Sequence, residues 1–226
     1  MTAGDPAYWD DFFQQNLIPV VLAHIVATWE RMRKPAPGEL EDKITLRLYS
    51  ALVNRKDRSR HPFLIRYEDV EVDTDLAKET GRKDIVVFPG TLEEIYFCLE
   101  AKRLNAVVSG RKKALADEYV KAGMQRFVDA KYAKSVRHGA MLGYVLDGRT
   151  DRAIKNVEAN IRARFQQLRM DPPGRLPPST VMEHPLVKET LHRRSHETTP
   201  FHIHHLFMAG QVKMPAQGKK RGYHSS

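Results

Sequence analysis

The run GAMLGYVL, residues 139–146, carries no charged side chain and no alternation of apolar with polar residues. A strand with one face in water alternates, so a continuous apolar run fits a strand covered on both faces. Helical periods stand on either side of it. Within residues 114–132, Leu115, Tyr119, Ala122, Met124, Phe127 and Val128 recur at mostly three- and four-residue steps. Within residues 151–168, Ile154, Val157, Ile161 and Phe165 form one amphipathic stripe. A covered strand between two helices predicts the α/β class, a mixed β-sheet flanked by helices.

The chain upstream supplies the rest of that sheet. Residues 8–32 read as helical, broken or started by Pro19, and 33–38 (RKPAPG) as a loop. Residues 39–54 read as a second helix. Leu40, Ile44, Leu48 and Leu52 sit at helical spacing, and Glu39, Glu41 and Asp42 lie in the first turn, where the helix dipole favours acids. Residues 63–72 alternate as a strand does, 74–83 read as a loop with Gly81, and 84–88 (DIVVF) and 95–104 (IYFCLEAKRL) as strands. Residues 171–178 (DPPGRLPP) read as a stiff linker, 200–207 (PFHIHHLF) as a last strand, and 217–226 as a disordered tail. The organisation expected is an N-terminal helical segment (1–38), a core (39–170), and a C-terminal linker, strand and basic tail (171–226) packed on or extending from it.

Composition narrows the partners. The 226 residues suit one domain with an appended arm, and 42% hydrophobic with 29% charged residues suits a globular chain. The formal charge of +9 favours a polyanion, nucleic acid or an acidic membrane surface. Residues 101–170 hold sixteen Lys/Arg against six Asp/Glu, an excess of ten, so the basic surface follows the 95–104 strand. One cysteine, Cys98, excludes an intrachain disulfide framework and suits a reducing cytoplasm. Acids at Asp5, Asp10 and Asp11 with no basic start are unlike a signal peptide. The apolar run 17–29 is too short to span a bilayer and reads as a core or interface helix. GxxxxGK[ST] is absent, so an ATPase partner would be another chain.

The strand 95–104 places Glu100 and Lys102 on one face. Pairing 84–88 antiparallel with Phe88 opposite Tyr96 puts Val86 opposite Cys98 and Asp84 opposite Glu100. Two neighbouring carboxylates repel, and a divalent cation compensates them. Hard oxygen ligands suit Mg²⁺, with Mn²⁺ able to substitute. Two acids, a metal and a nearby ammonium are the parts of metal-assisted phosphodiester hydrolysis.

GRKDIVVF, fifteen residues between Asp84 and Glu100, and then Glu100-Ala101-Lys102 resemble the core of the PD-(D/E)xK nuclease superfamily. The resemblance covers roughly residues 39–168 and implies a restriction-endonuclease-like fold. It implies that Asp84, Glu100 and the Ala101 carbonyl bind the metal and that Lys102 assists the water. It also implies a further acid from the first core helix, Glu41 or else Glu39. The Pro that often precedes the Asp is missing; Lys83 stands there. On helix 114–132, Gln125, Arg126 and Tyr132 are candidates to reach the scissile phosphate. Arg111, Lys112, Lys113, Lys134 and Arg137 are expected to contact nucleic-acid backbone. The resulting expectation is a cytoplasmic Mg²⁺-dependent nuclease acting on DNA, with no membrane partner. By resemblance it is an effector of a restriction or anti-phage defence system, restrained by a companion regulatory or ATPase subunit or by homo-oligomerisation. The alternative is a non-enzymatic nucleic-acid-binding or assembly subunit that keeps the fold. His202, His204 and His205 match no common zinc spacing and read as ordinary strand and surface residues, and Cys98 as an inert core thiol.

Overall fold

A computed structural model describes residues 17–57, 59–73, 78–89, 95–134, 136–195, 197 and 199–211, with backbone alone for 71–73 and 78–82. The elements are α1 (Ile18–Arg31), α2 (Glu41–Asn54), β1 (Leu64–Asp73), β2 (Lys78–Phe88), β3 (Phe97–Leu104), β4 (Ala106–Val108) and β5 (Arg111–Lys113). There follow a helical segment α3, then β6 (His138–Val145), α4 (Thr150–Ala163), β7 (Val187–His192) and β8 (Phe201–Ala209). Segment α3 comprises Ala116–Glu118, a π-helical turn at Tyr119–Met124, and Gln125–Val128.

Six strands form one mixed sheet in the order β1-β2-β3-β6-β8-β7. β1–β2–β3 is an antiparallel meander, β6 runs parallel to both β3 and β8, and β7 closes the far edge antiparallel to β8. The continuous apolar run is β6, buried along its whole length at the centre of the sheet. Alternate side chains feed two cores. Ile85, Val87, Leu99, Leu142 and Leu206 meet α1 and α2 on one face, through Ile18, Leu22, Ile25, Ile44 and Leu48. Val86, Cys98, Met141, Ile203 and Phe207 meet α3 and α4 on the other, through Tyr119, Phe127, Val157 and Ile161. Removing each such side chain from water contributes about 1.5–3 kcal/mol, so the three layers hold as one unit.

Several expectations shift. Pro19 starts α1 rather than breaking it. Glu39 precedes α2, whose first turn holds Glu41 and Asp42. Residues 78–83, expected as loop, extend β2 and pair with β1 as far as Asp73↔Lys78. Ladder pairing needs only backbone groups, so the charged KETGRK stretch forms a strand without any hydrophobic alternation to mark it. β4, β5 and β7 were not foreseen: the first two have three residues each, and VKETLH of β7 shows no clean alternation. Residues 171–178 pack on the body instead of spacing it: Leu176 is buried, Gly174 sits against Phe165, and Pro178 bridges Lys188. The expected tail, 217–226, lies outside the described residues. Among the described residues, no helix is long and apolar enough to cross a membrane.

Candidate active site

The site arises where two strands part. β2 and β3 pair at Val87↔Phe97, Val86↔Cys98 and Ile85↔Leu99, the register expected from parity, and the ladder stops there. β2 continues along β1 while β3 continues along β6 to Leu104↔Val145. Backbone groups on a strand point alternately to its two neighbours, so past Leu99 those of Ala101 and Arg103 face the gap. Buried amides left unpaired cost about 1–3 kcal/mol each. Two carboxylates take the place of the missing strand. Ala101 N donates to Asp84 Oδ2 at 2.7 Å, and Arg103 N donates to Glu41 Oε2 at 2.9 Å. Asp84 comes from the last unpaired residue of β2, and Glu41 from the first turn of α2.

Lys102 fills the centre of this gap. Its ammonium donates to the Ala101 carbonyl at 2.6 Å and to Glu41 Oε1 at 3.0 Å, and lies 2.8 Å from Glu100 Oε1. Arg126 of α3 approaches from the face of the sheet that carries Glu100 and Lys102, the face opposite α2, with Nη1 2.9 Å from Glu100 Oε1 and 2.7 Å from the Tyr132 hydroxyl. Glu100 is only 1% exposed, and its second oxygen, Oε2, is buried with no hydrogen-bond partner. Such an orphan is rare for a carboxylate, which desolvates at high cost.

The electrostatics follow. Burial raises the Glu100 carboxyl to about 7, and the neighbouring Asp84 charge adds to the rise. Burial raises Asp84 to about 6 against the lowering effect of the Ala101 amide and Lys102. Burial alone would lower Lys102, but Glu100, Glu41 and Asp84 together outweigh it and hold the ammonium above its ordinary range. Lys102 is therefore a fixed positive charge at neutral pH, able to orient a water or a phosphate oxygen and unable to accept a proton. Three acids against two cations leave the cluster one charge negative when all are ionised.

Close packing places Arg126. A Cβ on Gly139 of β6 would stand 2.6 Å from the Phe127 ring, and one on Gly123 2.3 Å from the Met141 methyl, so both glycines let α3 lie close to the sheet. The loop after α3 is tied down by Arg194, 4% exposed, which donates to the carbonyls of Phe127, Tyr132, Ala133 and Val136 at 2.7–3.2 Å and stacks on Phe201. That loop carries Tyr132, which holds Arg126. Arg194 was missed in the sequence, where it is one arginine among many; no spacing marks a residue that acts through carbonyls.

The structure thus brings together Asp84, Glu100, Ala101, Lys102, Glu41 and Arg126, with Tyr132 beside them. Glu39 is outside, paired with Arg47 at 2.6 Å. Gln125 is turned away, its amide on Asp129 and the Gln167 carbonyl. Arg111, Lys112 and Lys113 stand exposed on β5, Lys134 is exposed and Arg137 half-buried in the loop after α3. The histidines need correction. His204 and His205 are fully buried and His202 half-buried, because β8 is an inner strand covered on both faces. Their rings bond internally: His138 to His204 at 3.2 Å, His202 to Glu189 at 2.6 Å, and His205 to Tyr119 at 2.9 Å and Thr190 at 2.8 Å. Cys98 is buried in the core, as expected.

Among the described residues, no group of three or more His, Cys, Asp or Glu side chains stands in ligating geometry. The donor set still suits a hard divalent cation at one place: Asp84, the orphaned Glu100 Oε2 and the Ala101 carbonyl are all oxygens at the one gap, where an ammonium now sits. Comparison with family models, curated proteins and solved structures returned no match.

Proposed function

We propose that the protein is a Mg²⁺-dependent nuclease hydrolysing DNA phosphodiesters, on a restriction-endonuclease-like version of its mixed sheet. One observation carries the reading: a buried Glu100 oxygen without a partner, in a strand gap shared with two other carboxylates and a lysine. Asp84, Glu100 and the Ala101 carbonyl would hold the ion, which supplies an acidified water and offsets charge on the phosphate. Lys102 orients the attacking water against the phosphate, its charge held by Glu100, Glu41 and Asp84. Arg126, held by Tyr132, neutralises a phosphate oxygen beside Glu100. The excess of ten basic residues over 101–170 supplies sequence-independent attraction to the backbone. A cytoplasmic role as effector of a restriction or anti-phage system, restrained by a companion subunit or by self-association, is part of the same proposal. The alternative assembly role has less support from α1 as an interface, since Ile18, Val21, Leu22 and Ile25 are spent in the protein's own core.

The test is nicking and linearisation of supercoiled plasmid with Mg²⁺, Mn²⁺ or EDTA, by wild type, Asp84→Asn and Lys102→Ala, with an RNA of similar length in parallel. Wild type should cleave with either metal, and each variant should lose about 10²-fold or more. Equal cleavage by all three overturns the site. Binding of DNA without cleavage by wild type overturns the enzyme reading in favour of the binding subunit.

A further inference from the structure

A second feature lies at the same end of the sheet and takes no part in the cluster around Lys102. The parallel strands β3 and β6 both end beside a cavity of about 330 Å³, a size that takes a small ligand. Its walls come from the turn before α2, the β4–β5 hairpin and the loop leading into α4. Four cations line it: Lys112 and Lys113 from β5, and Arg149 and Arg152 from the start of α4. No ion pair among the described residues engages any of these four side chains, whereas Lys102 and Arg126 of the candidate active site are both paired. The one acid in the wall, Asp147, is already used: its Oδ1 accepts from Asn105 Nδ2 and from Arg149 N, both at 3.0 Å. Arg149 and Arg152 also stand at the N-terminus of a 14-residue helix, the end whose dipole favours anions and disfavours cations. Four cations against the single acid Asp147, two of them against a helix dipole, leave the concavity net positive, a charge that a bound anion would offset. Pro37 and Val107 add an apolar part of the wall, Val107 directly across the hairpin from Lys112.

We propose that this cavity binds a nucleoside phosphate: the phosphate between Lys112, Lys113, Arg149 and Arg152, the base against Pro37 and Val107. The ligand is either one nucleotide of a bound strand or a free mononucleotide; the recognising chemistry is the same. The site goes beyond the nuclease reading and does not require it. Asn105 in the cavity wall directly follows Leu104, the last residue of β3, so the cavity adjoins the strand that carries Glu100 and Lys102.

The experiment is calorimetric titration of the full chain in EDTA with adenosine 5′-monophosphate, adenosine, inorganic phosphate and a short oligothymidylate. The nucleotide should saturate at one per chain, inorganic phosphate should compete, and adenosine should not bind. Lys113→Glu and Arg152→Glu should each weaken binding by about tenfold or more, the loss of one charge-assisted contact. Lys155→Glu, an equal charge change on an exposed face of α4, should weaken it far less, and Asp84→Asn should leave it intact. Should a charge reversal shift the thermal midpoint, Lys113→Gln and Arg152→Gln replace it. Binding of the oligonucleotide alone, with the same dependence on Lys113 and Arg152, assigns the ligand to the strand. No binding of either probe, or equal weakening by Lys155→Glu, overturns the proposal. Because metal is absent and cleavage is not read, its failure is separate from that of the nuclease reading.

Discussion

Glu100→Gln should stabilise the metal-free protein, and by an amount that grows with pH. The side chain is 1% exposed, with one oxygen unpartnered, and its carboxyl is raised from 4.5 to about 7 by burial and by Asp84. A raised carboxyl binds a proton in the folded state that the unfolded chain releases. Its stability contribution is whole below about pH 4.5 and is lost as pH rises through about 7. The full loss corresponds to roughly 3 kcal/mol, and about 1–3 kcal/mol is expected once the neighbouring cations are allowed to relax. Glutamine has the shape of the protonated acid and keeps an acceptor for Lys102 and Arg126, and Glu41 still pairs with Lys102. Any cost of those exchanges varies little with pH, so the wild-type–variant difference isolates the ionisation. Urea unfolding in EDTA at steps from pH 4.5 to 8 measures it. A difference rising over that window, then reversing when Mg²⁺ is added because only wild type is stabilised by ligand, is the expected result. A flat difference would mean Glu100 ionises as in water, and the case for a strained acid awaiting a cation would fail.

Three other perturbations follow from the same packing. Burial lowers His138 to about 2 and His192 and His204 to about 4, and holds His205 well below its ordinary value. The unfolded chain protonates these four near 6.5, so stability falls with acidification below that point. At pH 5 the four protons gained on unfolding are set against two lost from Asp84 and Glu100, a net uptake of about two to which His24 and Glu189, both also lowered in the fold, add; the pH slope of urea stability reads it. Gly139→Ala should cost about 1–3 kcal/mol, since its Cβ meets the rigid Phe127 ring, and lower the thermal midpoint by several degrees. Gly123→Ala should cost less, because the Met141 methyl can swing away and alanine favours the helix.

The parts of this structure that were legible in the sequence are those written in side-chain period. GAMLGYVL, the stripes of α2 and α4, and the parity of Asp84 with Glu100 all depend on apolar spacing, which burial enforces residue by residue. Glu41 was reachable only through the resemblance, which implies an acid from the first core helix and left Glu39 open beside it. What stayed hidden is carried by the backbone or by charge. KETGRK pairs through amides and carbonyls, β5 is three cations held only by a hairpin, and Arg194 works through four carbonyls. The buried histidines were misplaced for a related reason: HIHH looks polar, and only the sheet order reveals that β8 is covered on both faces.

The acids around the strand gap are not equivalent, and the difference comes from what each replaces. Asp84 and Glu41 accept from the Ala101 and Arg103 amides that lost their ladder partner, so they stabilise the splay as well as lining it. Glu100 accepts from no backbone group of the gap; its contacts are Lys102 and Arg126, and one oxygen has none. Truncating Asp84 would therefore orphan a buried amide and confound loss of activity with loss of structure, whereas asparagine keeps the acceptor and removes the charge. Glu100 can be neutralised with a gain in stability. A carboxylate that the metal-free fold would be better without is what the proposed cation site would explain.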